Sequence, residues 1–145
     1  MKKIRLITLI AAASIACANA ETESRFPKGD ISNTKNHTGT VWLKLLNAPD
    51  SVINCAIAQA TFAPGAKLDW HIHPLGQVLM ITEGTGYYQE KGKPIQIVHK
   101  GDLIKCTPGV PHWHGAAPNS LFAYIAVSNG KNNETKWLQP VTEAE

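Results

Sequence analysis

His71-Ile72-His73-Pro74-Leu75-Gly76-Gln77 is the stretch on which the reading of this chain turns. In an extended strand alternate side chains share a face, so His71 and His73 point the same way across Ile72. Pro74-Leu75-Gly76 has turn chemistry, and the turn swings Gln77 back beside the two histidines. His112-Trp113-His114 repeats the same-face pairing on what reads as a second strand. Five groups able to bind a metal can therefore converge on one point.

The surroundings of both stretches are β in character. From Val41 onward, short apolar or alternating runs recur between turn residues, predicting strands near 41–46, 52–62, 66–73, 77–82, 86–90, 95–98, 102–106, 112–115 and 121–127. The breaks carry Gly, Pro, Asn and Asp, as at Asn47-Ala48-Pro49-Asp50, Glu83-Gly84 and Lys91-Gly92-Lys93-Pro94. Parallel βαβ units need crossover helices of about ten or more residues, and these gaps leave no room for them. The expectation is an all-β sandwich or barrel in one domain, over 41–145. Residues 21–40 are polar, show no sustained periodicity and read as a flexible N-terminal arm.

The first twenty residues read as an export signal. Met1-Lys2-Lys3-Ile4-Arg5 is basic, an apolar run follows, and Ala18-Asn19-Ala20 is a small-residue cleavage site, with cleavage expected after Ala20. Acylation at Cys17 is the alternative, with Ser14 standing where a large aliphatic residue is usual. The expected location is periplasmic or secreted, with no membrane attachment after cleavage. Lys2, Lys3 and Arg5 account for the whole net charge of +3, so the basic balance belongs to the signal. Nothing else in the charge pattern calls for nucleic acid. Cys55 and Cys106 remain, open either to pairing or to burial as small hydrophobes, and neither lies in a Cys-x-x-Cys motif. Asn36-His37-Thr38 and Asn133-Glu134-Thr135 match the glycosylation pattern, which carries no weight beside a bacterial-type signal.

A metal needs lone pairs at about 2 Å in fixed directions, and neutral imidazole is its commonest protein ligand. Lone histidines usually have structural explanations, and His37 and His99 read as surface residues. Two His-x-His pairs on separate strands are harder to explain that way. The tryptophans, Trp42, Trp70, Trp113 and Trp137, read as packing; Trp70 and Trp113 alternate with the ligand candidates and so point away from them.

Gly65-x5-His71-x-His73-x3-Gln77-x6-Gly84, followed by Gly101-Asp102-x6-Gly109-x2-His112, resembles the two signature motifs of the cupins. Gln77 stands where most cupins carry glutamate, Thr107 where proline is common and Ala116 where asparagine is common. The run from Trp70 to Gln77, with Pro111-His112-Trp113-His114-Gly115-Ala116, is similar to small bacterial cupins that include manganese-dependent hydroxynitrile lyases. The resemblance runs from about Val41 to Thr142.

This resemblance implies a jelly-roll barrel holding a divalent metal, with His71, His73, Gln77 and His112 as ligands. Manganese leads, with iron, nickel, cobalt and zinc as alternatives. It also implies His114 as an acid/base group just beyond the metal, against the plainer reading of a histidine that only orients a ligand or water. Ala58 and Ala60, with Tyr124 and Ser128 on a later strand of compatible parity, are the expected walls of a small-molecule pocket. A homodimer or homotetramer follows from the same resemblance. Neutral Gln77 leaves the metal's charge uncompensated by its ligands, which favours Lewis acidity and anion attraction over a ferrous oxygenase triad containing a carboxylate. The expected activities are a hydroxynitrile-type lyase, an oxygen-using cupin, or non-catalytic binding of small ligands.

Overall fold

The computed structural model describes residues 26–142, and the expected signal over 1–20 lies outside them. Among the described residues there is no helix, and every strand pairing is antiparallel. The strands are β1 (Asp30–Ile31), β2 (His37–Thr38), β3 (Val41–Asn47), β4 (Cys55–Phe62), β5 (Lys67–Leu68) and β6 (His71–Ile72). They continue with β7 (Gln77–Glu90), β8 (Gln96–His99), β9 (Leu103–Cys106), β10 (His112–Ala116), β11 (Phe122–Asn129) and β12 (Lys136–Trp137).

The all-β jelly-roll barrel is organised by β7, which serves two sheets. Its first half pairs with β9 and β11, its second with β8 and β10. The sequence pattern reads Glu83-Gly84 as a break between two strands, but the chain instead bends there without leaving the ladder. Gly84 has φ +71°, and a Cβ on it would collide with the Leu121 carbonyl, so glycine alone lets the strand turn this corner. A register shift between Ala123 and Tyr124 on β11 accommodates the bend.

Other boundaries differ for equally local reasons. The strand expected from 52 begins at Cys55, because the Asp50 carboxylate accepts from the Val52 and Ile53 amides at 2.7 and 2.6 Å and holds that stretch in a turn. The strand expected over 66–73 is two short pieces. Between them the Asp69 amide donates to the Asn36 carbonyl and the Trp70 amide to the Gln139 carbonyl, which draws this segment into two remote parts of the chain. The segment read as a flexible arm carries β1, paired with β3, and β2, paired with β5.

Inside the barrel Phe62, Phe122 and Tyr124 form one cluster, with ring centroids 5.6 to 6.0 Å apart, joined by Val41, Leu79 and Ile81. Trp70 and Trp113 lie in a separate cluster with Val141, packed by Tyr87, as their alternation with the histidines requires. Cys55 and Cys106 are free thiols. Cys106 on β9 and Cys55 on β4 are separated by β7 and β11, about 14 Å of sheet at about 4.8 Å per strand, too far for a disulfide.

Glu90 is 4% exposed, yet its carboxylate is fully occupied. Lys93 Nζ donates to it at 2.6 Å, the Thr107 amide at 3.2 Å and the Tyr88 hydroxyl at 3.1 Å. Lys93 leads in holding the carboxyl down to about 2, with Thr107 next. A depressed folded-state value contributes stability above the unfolded value near 4.5 that is lost as pH falls through about 2. Acid titration of unfolding free energy should therefore steepen over that window, and Glu90→Gln should flatten it. An unchanged acid limb in the variant would refute the assignment.

Candidate metal centre

Ladders bring the two histidine pairs together. His71 on β6 is the direct cross-strand partner of His112 on β10, and the ring centroids lie 4.4 Å apart. His73 follows two residues later, its ring 5.3 Å from His71 and 5.6 Å from His112. One ring nitrogen from each of the three lies within 4.8 Å of the others, and all three residues are buried.

The outward nitrogens are already engaged. His71 Nδ1 donates to the Asp69 carbonyl at 2.8 Å and His112 Nδ1 to the Val110 carbonyl at 2.9 Å, while His73 Nδ1 meets Thr135 Oγ1 at 3.4 Å. These bonds direct each Nε2 toward the common centre, the usual arrangement around a metal-ligating imidazole. His112 Nε2 is buried without a partner, which in a folded interior calls for a ligand. Burial holds His71 down to about 3 and His73 to about 4, and lowers His112 as well, with neighbouring histidines adding to the effect on the first two. Neutral imidazoles with converging lone pairs fit a divalent cation.

Gln77 opens β7 immediately after the turn and borders the same cavity as His71 and His73. Its side chain is a neutral amide, so it brings no charge to that cavity. A buried carboxylate does lie nearby, since Glu90 is the cross-strand partner of His112 and its charge favours protonated His112. Glu90 thus places a negative charge beside His112, one of the three candidate ligands, and spacing did not nominate it.

His114 lies two residues beyond His112, its ring 5.0 Å from that of His71 and edge-on to Tyr124 at 5.0 Å. It is 1% exposed, and neither ring nitrogen has a hydrogen-bond partner. It lies outside the three-histidine group and borders the cavity. Burial, reinforced by the charges of His71, His112 and His73, pushes its pKa far down.

The cavity has a volume of about 180 Å³, and most of its wall is apolar. Ala58 and Ala60 form one side, opposite Ala126 and Tyr124 in the β4–β11 ladder. Ser128 shares their parity but lies one step too far along β11. It borders a separate recess of about 320 Å³ that also contains Cys55 and Cys106 and shares only Gln77 with the histidine-lined cavity.

Among the cavity residues that escaped the sequence reading are His37, Trp137 and Thr135. His37 is not a free surface histidine: β2 places it in the cavity wall, where Nδ1 lies 3.2 Å from the Gly39 carbonyl and Nε2 is buried without a partner. Trp137, read as packing, pairs with His71 through β12, and its ring centre lies 5.0 Å from the imidazole. Thr135 reaches His73 from the same segment. His99 does stay on the surface, beside Thr85 Oγ1.

Residues 58–127 match the family model described as a cupin domain. Over 108 residues the chain is 41% identical to a protein of Granulicella tundricola named (R)-mandelonitrile lyase, covering 73% of this chain and 82% of that one. A cupin-like protein from Thermotoga maritima superposes with a TM-score of 0.78 at 41% identity, over 83% of this chain and 92% of the other. A cupin-2 domain from Rhodospirillum rubrum shares the fold at 19% identity, with a TM-score of 0.65 over 83% and 80% of the two chains. With the barrel, the paired histidine motifs and these relatives in agreement, the chain belongs to the cupin family.

Proposed function

We propose that this cupin is an exported, metal-dependent carbon–carbon lyase of the hydroxynitrile type. The observation that carries the proposal is His114, a buried imidazole with two unengaged nitrogens in the small apolar cavity that His71 and His73, two of the three converging histidines, also line. The relative's name adds support, since mandelonitrile is an aryl cyanohydrin. Manganese is the first candidate for the metal. His71, His73, His112 and Gln77 would hold it, and when bound it supplies a Lewis acid that eases loss of a proton from a hydroxyl.

The chain's own groups account for the rest. In the cleavage direction the carbon–carbon bonding pair leaves with the cyano carbon, and the O–H pair becomes the second bond of the carbonyl. The hydroxyl proton ends on cyanide, with His114 as its carrier. Neutral His114 can accept that proton, and burial makes its conjugate acid a ready donor. Ala58, Ala60 and Trp137 enclose the organic portion, and a cavity below the ~300 Å³ typical of drug-sized ligands restricts it to a small molecule.

The test is cyanide release from racemic mandelonitrile by manganese-loaded protein, with and without oxygen. Equal release under both conditions supports the lyase. Oxygen uptake without cyanide release points to an oxygenase, and ligand binding without turnover to a binding protein. Replacing Ala58 by leucine should raise KM for mandelonitrile by about tenfold, while an aliphatic cyanohydrin loses less, because added bulk enters the cavity from β4. Equal losses for both substrates would make this wall ordinary packing.

Export and self-association belong to the same proposal. The signal-like segment 1–20 supports a periplasmic or secreted protein, testable by cell fractionation. Leu45, Leu46, Val52 and Ile53 are exposed apolar residues on β3 and the turn after it, which supports contact with a second copy of the chain. Light scattering of the parent and of Leu45→Glu would reveal a dimer or tetramer and its loss.

A further inference from the structure

The turn at 74–76 must be held in place for Gln77 to join the histidines, and local sequence supplies only part of that hold. The Gly76 amide donates to the His73 carbonyl at 3.0 Å and closes the turn. On one side, the second motif packs against it. The Gly109 amide donates to the same carbonyl at 3.0 Å, and a Cβ on Gly76 would come within 2.8 Å of the Cys106 carbonyl oxygen.

The other side is held by the C-terminal segment. Asn133 Oδ1 accepts from the Leu75 amide at 2.7 Å, and Asn133 Nδ2 donates to the Gly76 carbonyl at 2.9 Å. One side-chain amide thus brackets the peptide that leads into Gln77, and the residue is only 8% exposed. The two bonds fix the amide's orientation, since oxygen must face the N–H and nitrogen the carbonyl. Asn132, at φ 58°, turns the chain just before it, and two residues later Thr135 meets His73. The Asn-x-Thr pattern at 133–135 therefore has a use inside the barrel wall.

We propose that Asn133 is a positioning residue of the metal centre, fixing through the 74–76 turn the point from which Gln77 reaches the three histidines. It does not contact the metal position itself. Loss of its side chain leaves the Leu75 amide and the Gly76 carbonyl without this partner and lets the start of β7 move, so the entropy of ordering Gln77 must be met at metal binding. The inference rests on the four-ligand reading of the site.

Calorimetric titration of the full-length apoprotein with Mn²⁺ alone tests it. Asn133→Ala should bind Mn²⁺ about tenfold more weakly than the parent, the low end of what loss of an outer partner costs. In a Gln77→Ala background the same substitution should change affinity by less than about twofold, because two residues acting through one contact are not additive. If Asn133→Ala lowers the apoprotein melting temperature but binds Mn²⁺ like the parent, or weakens binding equally in both backgrounds, the proposal fails. Should the alanine variant not fold, Asn133→Asp, which keeps the acceptor and loses the donor, carries the same comparison. A parent protein that takes up no divalent metal would instead overturn the four-ligand reading, and this proposal with it.

Discussion

Replacing His114 by alanine is expected to lower cyanide release by about 10²–10⁴-fold while leaving metal content at the parent level. The separation is possible because His114 stands outside the group whose nitrogens converge, so its loss removes no ligand. It also leaves no polar atom newly unpaired, since neither imidazole nitrogen had a partner to abandon. The space it vacates borders Phe62 and Tyr124, whose packing is otherwise intact, so the variant should fold. Metal analysis beside a cyanide assay decides the matter. A variant with parent turnover would reduce His114 to a packing residue, and one that lost its metal would make it a ligand.

His71→Ala should have a different signature, losing metal and turnover together. His71 and His112 share the shortest ring separation among the candidate ligands, and His71 Nδ1 is tied to the backbone two residues earlier, so its Nε2 is held in place. Losing it should weaken Mn²⁺ binding by more than the roughly 100-fold upper range for an outer partner. Turnover should fall with it. Thermal unfolding gives an independent readout: a metal at a hundred times its Kd adds about 2.7 kcal/mol to the native state. The parent should therefore melt higher with Mn²⁺ than without, and His71→Ala should melt equally in both. A variant that still gained stability from Mn²⁺ would place the metal elsewhere.

Both variants probe residues that were legible in the sequence. The histidine pairs could be read directly because a period of two is local: His112 and His114 lie in β10, and His73 follows β6 by one residue. The alternation of Trp70 and Trp113 with those histidines was legible for the same reason, as was the small face of β4 at Ala58 and Ala60. Parity alone, however, does not say how far along a barrel a side chain sits. Ser128 has the correct face and borders the wrong recess, because β11 has by then passed the cavity lined by His71, His73 and His114 and reached the recess on the other side of Gln77.

The amino-acid sequence by itself determined an all-β chain, the two histidine pairs, the turn between His73 and Gln77, and the neutral amide at position 77. These follow from backbone geometry over a few residues. Only the tertiary structure decided that His37, Thr135 and Trp137 border the cavity, that Glu90 lies behind His112, and that Asn133 clamps the turn. Those residues arrive through pairings between remote segments, β2 with β5, β12 with β6 and β7 with β10. A two-residue strand is too short to show a period, so nothing local marks β2 or β12. Gly84 adds the same lesson in reverse: its neighbours read as a strand break, but a positive φ beside the Leu121 carbonyl turns that signal into the corner that joins the two sheets.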